Sequence, residues 1–148
     1  MINKFDGEYA FLSNFADSCI EFEGITYPTV EHAFQAAKTL DEDERLYISS
    51  LPTPGAAKKQ GRRVSLRPDW EQVKYSVMEE CVSKKFAQEP LRSQLLATGD
   101  EPLEEGTWWH DNIWGNCYCA KCANIEGKNY LGKILMKTRQ EIKEKALS

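Results

Sequence analysis

No run in this 148-residue chain approaches the length of a membrane span, and its start, MINKFDGEYA, lacks the apolar core of a secretion signal. A protein of the cytoplasm, without membrane partners, is the expectation. Positive charge is not in excess either. Nineteen Lys and Arg face 23 Asp and Glu, for a net charge of −4, which argues against a protein that coats nucleic acid by bulk electrostatics. There is no internal repeat, no low-complexity tract and no linker rich in Pro, Gly or Ser, so a single domain over residues 1–148 is expected. The five cysteines are odd in number. Without a secretion signal they read as reduced thiols, not as a disulfide framework.

What is present is the composition of an ordinary globular protein, 41% hydrophobic and 28% charged, with clear punctuation. Ile20 and Phe22 alternate with acids, Glu23-Gly24 can turn, and Ile25 with Tyr27 resumes the alternation, which predicts a β-hairpin. Thr29 after Pro28 can cap a helix in "PTVEHAFQAAKTL" (28–40). A second helix is predicted over about 42–50, and Thr53-Pro54 supplies a cap and a first-turn proline before "GAAKKQGRR". Asp69 is placed to cap a helix over about 70–88, whose Trp70, Val73, Val77 and Cys81 recur at helical spacing, widened by Met78, Val82 and Phe86. "PLRSQLLATG" reads as a helix ending at Gly99, "EPLEEGTWW" as a strand, and "HDNIWGNCYCAKCANIEG" as a long loop. Asn129 is expected to cap the last helix, with Leu131, Ile134, Leu135 and Ile142 facing inward. The predicted class is α+β, mostly helical with a few short strands.

In the helix over 28–40, positions 31, 35 and 38 fall on one line beside an apolar stripe of Val30, Ala33, Phe34 and Ala37, with Glu31 and Lys38 about 10 Å apart along the axis. The plain reading is a solvated face with an acid near the N-terminus and a lysine near the C-terminus. The alternative starts from Ala33, Ala36 and Ala37, which leave room for something to approach. A lysine desolvated against apolar walls can lose its proton and become a nucleophile, with a carboxylate to move protons for it. "KKQGRR" (58–63) with Arg67 is a solvated basic face or a phosphate site. Three tryptophans in "TWWHDNIWG" fix a loop or stack on a base as a pocket lid. Ser13 and Asn14 of "FLSNF" bond their own backbone or a ligand. His110, Cys117, Cys119 and Cys122 are four nitrogen and sulfur ligands, but C-x-C-x-x-C is not the paired C-x-x-C knuckle and no second half-site follows.

"FLSNF" (11–15), "YPTVEHAFQAAK" (27–38), "GRRVSLRPDW" (61–70), "KKFAQEPLRSQLLATGD" (84–100), "WG" (114–115) and "NYLGKILMKTR" (129–139) occur in the order of the NADAR (YbiA-like) family, which the chain resembles from Phe11 to Arg139. The resemblance implies an N-glycosidase that cleaves ribose from an exocyclic amine. The substrates it implies are phosphoribosylamino pyrimidines of riboflavin synthesis or, alternatively, ADP-ribosylated guanine in nucleic acid. It implies Lys38 as Schiff-base nucleophile and Glu31 as proton shuttle. Substrate contacts then fall to Ser13, Asn14, Phe15, Gln35, Arg62, Trp108, Asp111 and Trp114. Arg62 ranks ahead of Arg63 and Arg67 for phosphate, and Glu104 is a possible second carboxylate. The resemblance implies no metal requirement and a loop here that is not usually cysteine-rich, so free thiols, no metal and no cofactor are expected. Two rivals remain: a non-catalytic binder of ADP-ribose or NAD, which would not need Lys38, and a small zinc-stabilised interaction domain.

Overall fold

The computed structural model describes residues 1–147, in two compact units. One unit is Asn14–Ala87; the other is Met1–Ser13 together with the chain from Gln88 onward. Helices dominate both, with a few short strands, as the α+β expectation requires.

In the 14–87 unit, β1 (Asp17–Phe22) and β2 (Ile25–Thr29) form the predicted antiparallel hairpin. Glu23 and Gly24 both adopt positive φ, +48° and +88°, the geometry of a tight two-residue hairpin turn. An irregularity between Asp17 and Ile20, with Cys19 at φ +43°, twists β1 while Ser18, Ile20 and Phe22 stay on the buried face. Thr29 ends β2 and caps α1 (Val30–Ala36), its hydroxyl accepting from the His32 N–H at 3.1 Å. Helix α2 (Glu42–Ser49) is capped by Asp41, and α3 (Pro54–Gln60) by Thr53 with Pro54 in its first turn. Such caps contribute about 1 kcal/mol each.

Every residue of α1 is buried, because α2, α3, α4 (Trp70–Lys85) and the hairpin pack around it. This corrects the expected role of its alanines. Ala33, Ala36 and Ala37 are fully buried and admit neighbouring helices rather than a ligand. On α4, Trp70, Val77, Met78, Cys81, Val82 and Phe86 are buried as the periodicity predicts. Asp69 does not cap it, since its carboxylate is taken by the Arg67 guanidinium at 2.6 and 3.0 Å.

In the other unit, α5 (Leu91–Ala97) ends before Gly99, whose φ of +64° closes the helix. It packs against α6 (Tyr130–Leu147) and a 3₁₀ turn over Gly7–Leu12. Leu131, Ile134 and Leu135 are buried, whereas Ile142 is partly exposed. The predicted strand at 101–109 shrinks to β3 (Gly106–Thr107), paired in parallel with β4 (Asn116–Cys117). Asn129 does not act as a simple cap. It adopts φ +50° and turns its carboxamide to the Glu105 N–H (3.0 Å) and the Leu103 carbonyl (2.9 Å). Among the described residues no helix is long and apolar enough to cross a membrane.

Candidate active site

Three of the expected residues come from one element and its exit. Glu31 stands in the first turn of α1 and Gln35 one turn later; Gln35 Nε2 donates to Glu31 Oε1 at 2.7 Å. Both are buried, 7% and 5% exposed, so this pair is no solvated face. The Glu31 N–H donates to the Asn14 carbonyl at 3.1 Å, which ties "FLSNF" to the start of the helix. The Asn14 carboxamide meets Met78 Sδ at 3.5 Å, and neighbouring Phe15 is 45% exposed.

Lys38 lies just beyond the helix. The last α-helical bond runs from the Ala37 N–H to the Ala33 carbonyl, and the Lys38 and Thr39 N–H groups then bond back to Gln35 and Ala36 in a tighter, three-residue pattern. The Lys38 carbonyl is closed off by the Arg67 N–H at 2.7 Å. Burial lowers the pKa of the half-buried Lys38 amine. The Glu31 charge works against that, and Arg62, Lys58 and Lys74 reinforce it; the balance falls below the usual lysine value. A larger share of this amine is therefore neutral at a given pH than for a surface lysine.

The basic segment sorts itself by geometry. The Arg67 fork is engaged by Asp69, while Arg62 and Arg63 are exposed. Gly61 caps the end of α3 in a right-handed helical conformation, φ −58°. Its hydrogen is required by the Gln35 carboxamide, because a Cβ at 61 would stand 1.9 Å from Gln35 Oε1. That oxygen is buried and has no hydrogen-bond partner among the described residues.

Ser13, Trp108, Asp111 and Trp114 belong to the other unit. Ser13 closes the 3₁₀ turn over Gly7–Leu12, its N–H bonding the Ala10 carbonyl. The Asp111 carboxylate organises its own loop, accepting from the Ile113 and Trp114 N–H groups at 3.1 and 2.9 Å. Trp114 packs edge-on against Tyr130, with centroids 6.3 Å apart; Trp108 is 63% exposed beside Tyr118. Glu104, the possible second carboxylate, accepts from the Tyr118 hydroxyl.

Two residues with altered proton affinity escaped the sequence reading. His32 is buried, with Nδ1 2.8 Å from the Thr29 hydroxyl and Nε2 3.0 Å from the Leu51 carbonyl; burial lowers its pKa. Lys85, 1% exposed at the end of α4, is pushed down to about 7 by burial alone. Helical spacing from Met78, Cys81 and Val82 carries the buried stripe on to position 85, the signal that separates it from Lys84.

The NADAR domain matches residues 2–143. N-glycosidase YbiA of Escherichia coli (strain K12) is 42% identical over 138 residues, covering 91% of this chain and 82% of that protein. The NMR structure of E. coli YbiA superposes with a TM-score of 0.84 at 38% identity, covering 100% of this chain and 88% of that one. A Vibrio vulnificus protein named riboflavin biosynthesis protein VVA0006 is 38% identical over 95% of this chain, which spans 38% of that longer protein. With a domain match across almost its whole length and relatives alike over nine-tenths of it, the chain belongs to the NADAR family and is an N-glycosidase, a glycosidase hydrolase.

Proposed function

We propose that the enzyme hydrolyses the bond between ribose C1 and an exocyclic amine, with Lys38 as covalent nucleophile and Glu31 as proton shuttle. The observation that carries this reading is the pairing of a lysine of lowered pKa with a buried carboxylate held by Gln35. The amine lone pair expels the ring oxygen, which takes a proton from Glu31, leaving an open-chain iminium at C1. Neutral Lys38 Nζ adds to C1. A proton passes through Glu31 from Nζ to the exocyclic nitrogen, the C1–N bond breaks, and the free base amine leaves. The resulting Schiff base takes up water, returns a proton to Glu31, and collapses to the sugar aldehyde and free Lys38.

The substrate class proposed is a phosphoribosylamino pyrimidine, since the similar Vibrio protein is named for riboflavin biosynthesis. Arg62 is proposed to meet the sugar phosphate, because Arg67 is already committed to Asp69. Gln35 Oε1 is proposed as an acceptor for a sugar hydroxyl. Guanine-linked ADP-ribose is the competing substrate.

Borohydride added during turnover should trap a sugar phosphate on Lys38, identified by peptide mass spectrometry. Lys38→Arg should abolish adduct and turnover together, because guanidinium stays charged. Glu31→Gln should slow turnover by about 10²- to 10⁴-fold. An adduct on Lys85, or full activity in Lys38→Arg, would sink the mechanism. Free ADP-ribose instead of ribose 5-phosphate as product would reassign the substrate and keep the chemistry.

A further inference from the structure

Outside the proposed active site, the segment from Trp108 to Gly127 gathers His110, Cys117, Cys119 and Cys122, whose ligand atoms all lie within 4.8 Å of one another. His110 Nδ1 is 3.3 Å from the sulfurs of both Cys119 and Cys122. One ring nitrogen has a single hydrogen or a single in-plane lone pair, so it cannot serve two sulfurs at full strength. A cation at the centre satisfies every member at once. A zinc tetrahedron with Zn–S of about 2.3 Å and Zn–N of about 2.0 Å puts sulfurs about 3.8 Å apart and nitrogen about 3.5 Å from each sulfur. The cluster, with two N–S distances of 3.3 Å and no pair of ligand atoms more than 4.8 Å apart, needs shifts of about 1 Å at most to reach that size.

The backbone is arranged around the sulfurs. The His110 N–H donates to Cys117 Sγ at 3.3 Å, the kind of outer bond that steadies a bound thiolate. Asn112 Oδ1 accepts from the Cys117 N–H at 2.8 Å, and the Cys119 carbonyl from the Cys122 N–H at 3.1 Å, closing the C-x-x-C turn. Cys117 and Cys122 are buried and Cys119 half-buried, while His110 is an exposed residue that turns Nδ1 to the sulfurs. His110 has φ +68°, a conformation that a non-glycine residue holds at a cost unless its surroundings fix it. A metal bond would fix it.

We propose that His110 Nδ1 and the sulfurs of Cys117, Cys119 and Cys122 bind one zinc ion in a closed, structural tetrahedral site. Three sulfurs and one imidazole select zinc over the hard, oxygen-seeking cations. Four protein ligands leave no open position for substrate, so the ion would brace the loop and the β3–β4 pair rather than take part in hydrolysis. This departs from the sequence-based expectation of free thiols and no metal. The spacing gave no paired knuckle because the fourth ligand is a histidine that precedes the cysteines, brought back by the parallel pairing of Thr107 with Cys117.

The test is elemental analysis of protein produced in zinc-supplemented medium and gel-filtered. One zinc per chain is expected in the wild type and in Cys19→Ser, and its loss in Cys119→Ser. Should Cys119→Ser fail to fold, wild-type protein stripped with chelator and reloaded with Co²⁺ decides. Intense visible bands of tetrahedral cobalt, with a near-ultraviolet thiolate charge-transfer band, support the site. Substoichiometric zinc in the wild type, retention of zinc in Cys119→Ser, or the weak spectrum of six-coordinate cobalt would overturn it.

Discussion

The two units hold their chemically notable side chains by opposite means. In the 14–87 unit, Glu31 and Gln35 are withdrawn from water by the helices and hairpin packed around α1, the amine of Lys38 is half withdrawn just beyond it, and the lowered pKa of that amine follows from burial and nearby charge. In the other unit, the segment carrying Trp108, Asp111 and the cysteines has little apolar packing. Side-chain oxygens and sulfurs bonded to backbone N–H groups hold its shape instead. A site built by burial is sensitive to volume, and one built by polar ligation is sensitive to lost acceptors.

That contrast can be broken most sharply at Gly61. Gly61→Ala places a methyl group where Gln35 Oε1 now lies, so the carboxamide must rotate and release Glu31. A displacement of that order is expected to slow turnover by about 10²-fold, although residue 61 has no side chain to offer a substrate. Gln35→Ala combined with Gly61→Ala should cost no more than Gln35→Ala alone. Wild-type kinetics in Gly61→Ala would show that the Gln35–Glu31 bond is dispensable.

In the polar segment the corresponding substitution is Asp111→Ala, which takes the acceptor from one exposed and one part-buried backbone N–H and should lower stability by about 0.5–1.5 kcal/mol. Asp111→Asn keeps an acceptor oxygen and should recover most of it in urea denaturation. Equal losses in both variants would mean that the carboxylate charge, not the acceptor, organises the loop.

The smallest expected effect is a pH dependence from His32. Its folded pKa lies below the usual 6.5, so the unfolded chain takes up the proton first. Stability from this group is complete above about pH 6.5 and declines as pH falls from there toward the folded value. The urea midpoint of the wild type should drop across that window relative to His32→Gln. A constant difference between the two would show that the bonds from Thr29 and to Leu51 survive protonation.

The 14–87 unit was largely legible because local rules decide it. Alternation gave the hairpin, Thr29 and Thr53 gave helix starts, and helical spacing aligned Glu31 with Gln35. What the periodicity missed is tertiary: α1 stops at Ala36, leaving Lys38 in a tighter turn closed by Arg67, and its alanines receive helices. Asp69 reads as a cap until Arg67, two residues earlier, claims it. Between 101 and 129 little was legible. Asn129 bonds residues more than twenty positions away, and Cys117 acquires its neighbours through a two-residue parallel pairing that no local pattern announces.

Packing on α1 also divides the protein's light emission. Trp70, the sole indole of the 14–87 unit, is 7% exposed with its ring 5.1 Å from Phe34, one turn from the proposed nucleophile. Trp108 and Trp109 are more than half exposed. A buried indole fluoresces to the blue of a hydrated one, so the two units carry different colours. Once the half-buried Trp114 is replaced by Phe, the red shift on unfolding belongs to Trp70, and loss of order around α1 can be followed apart from events in the cysteine-bearing loop.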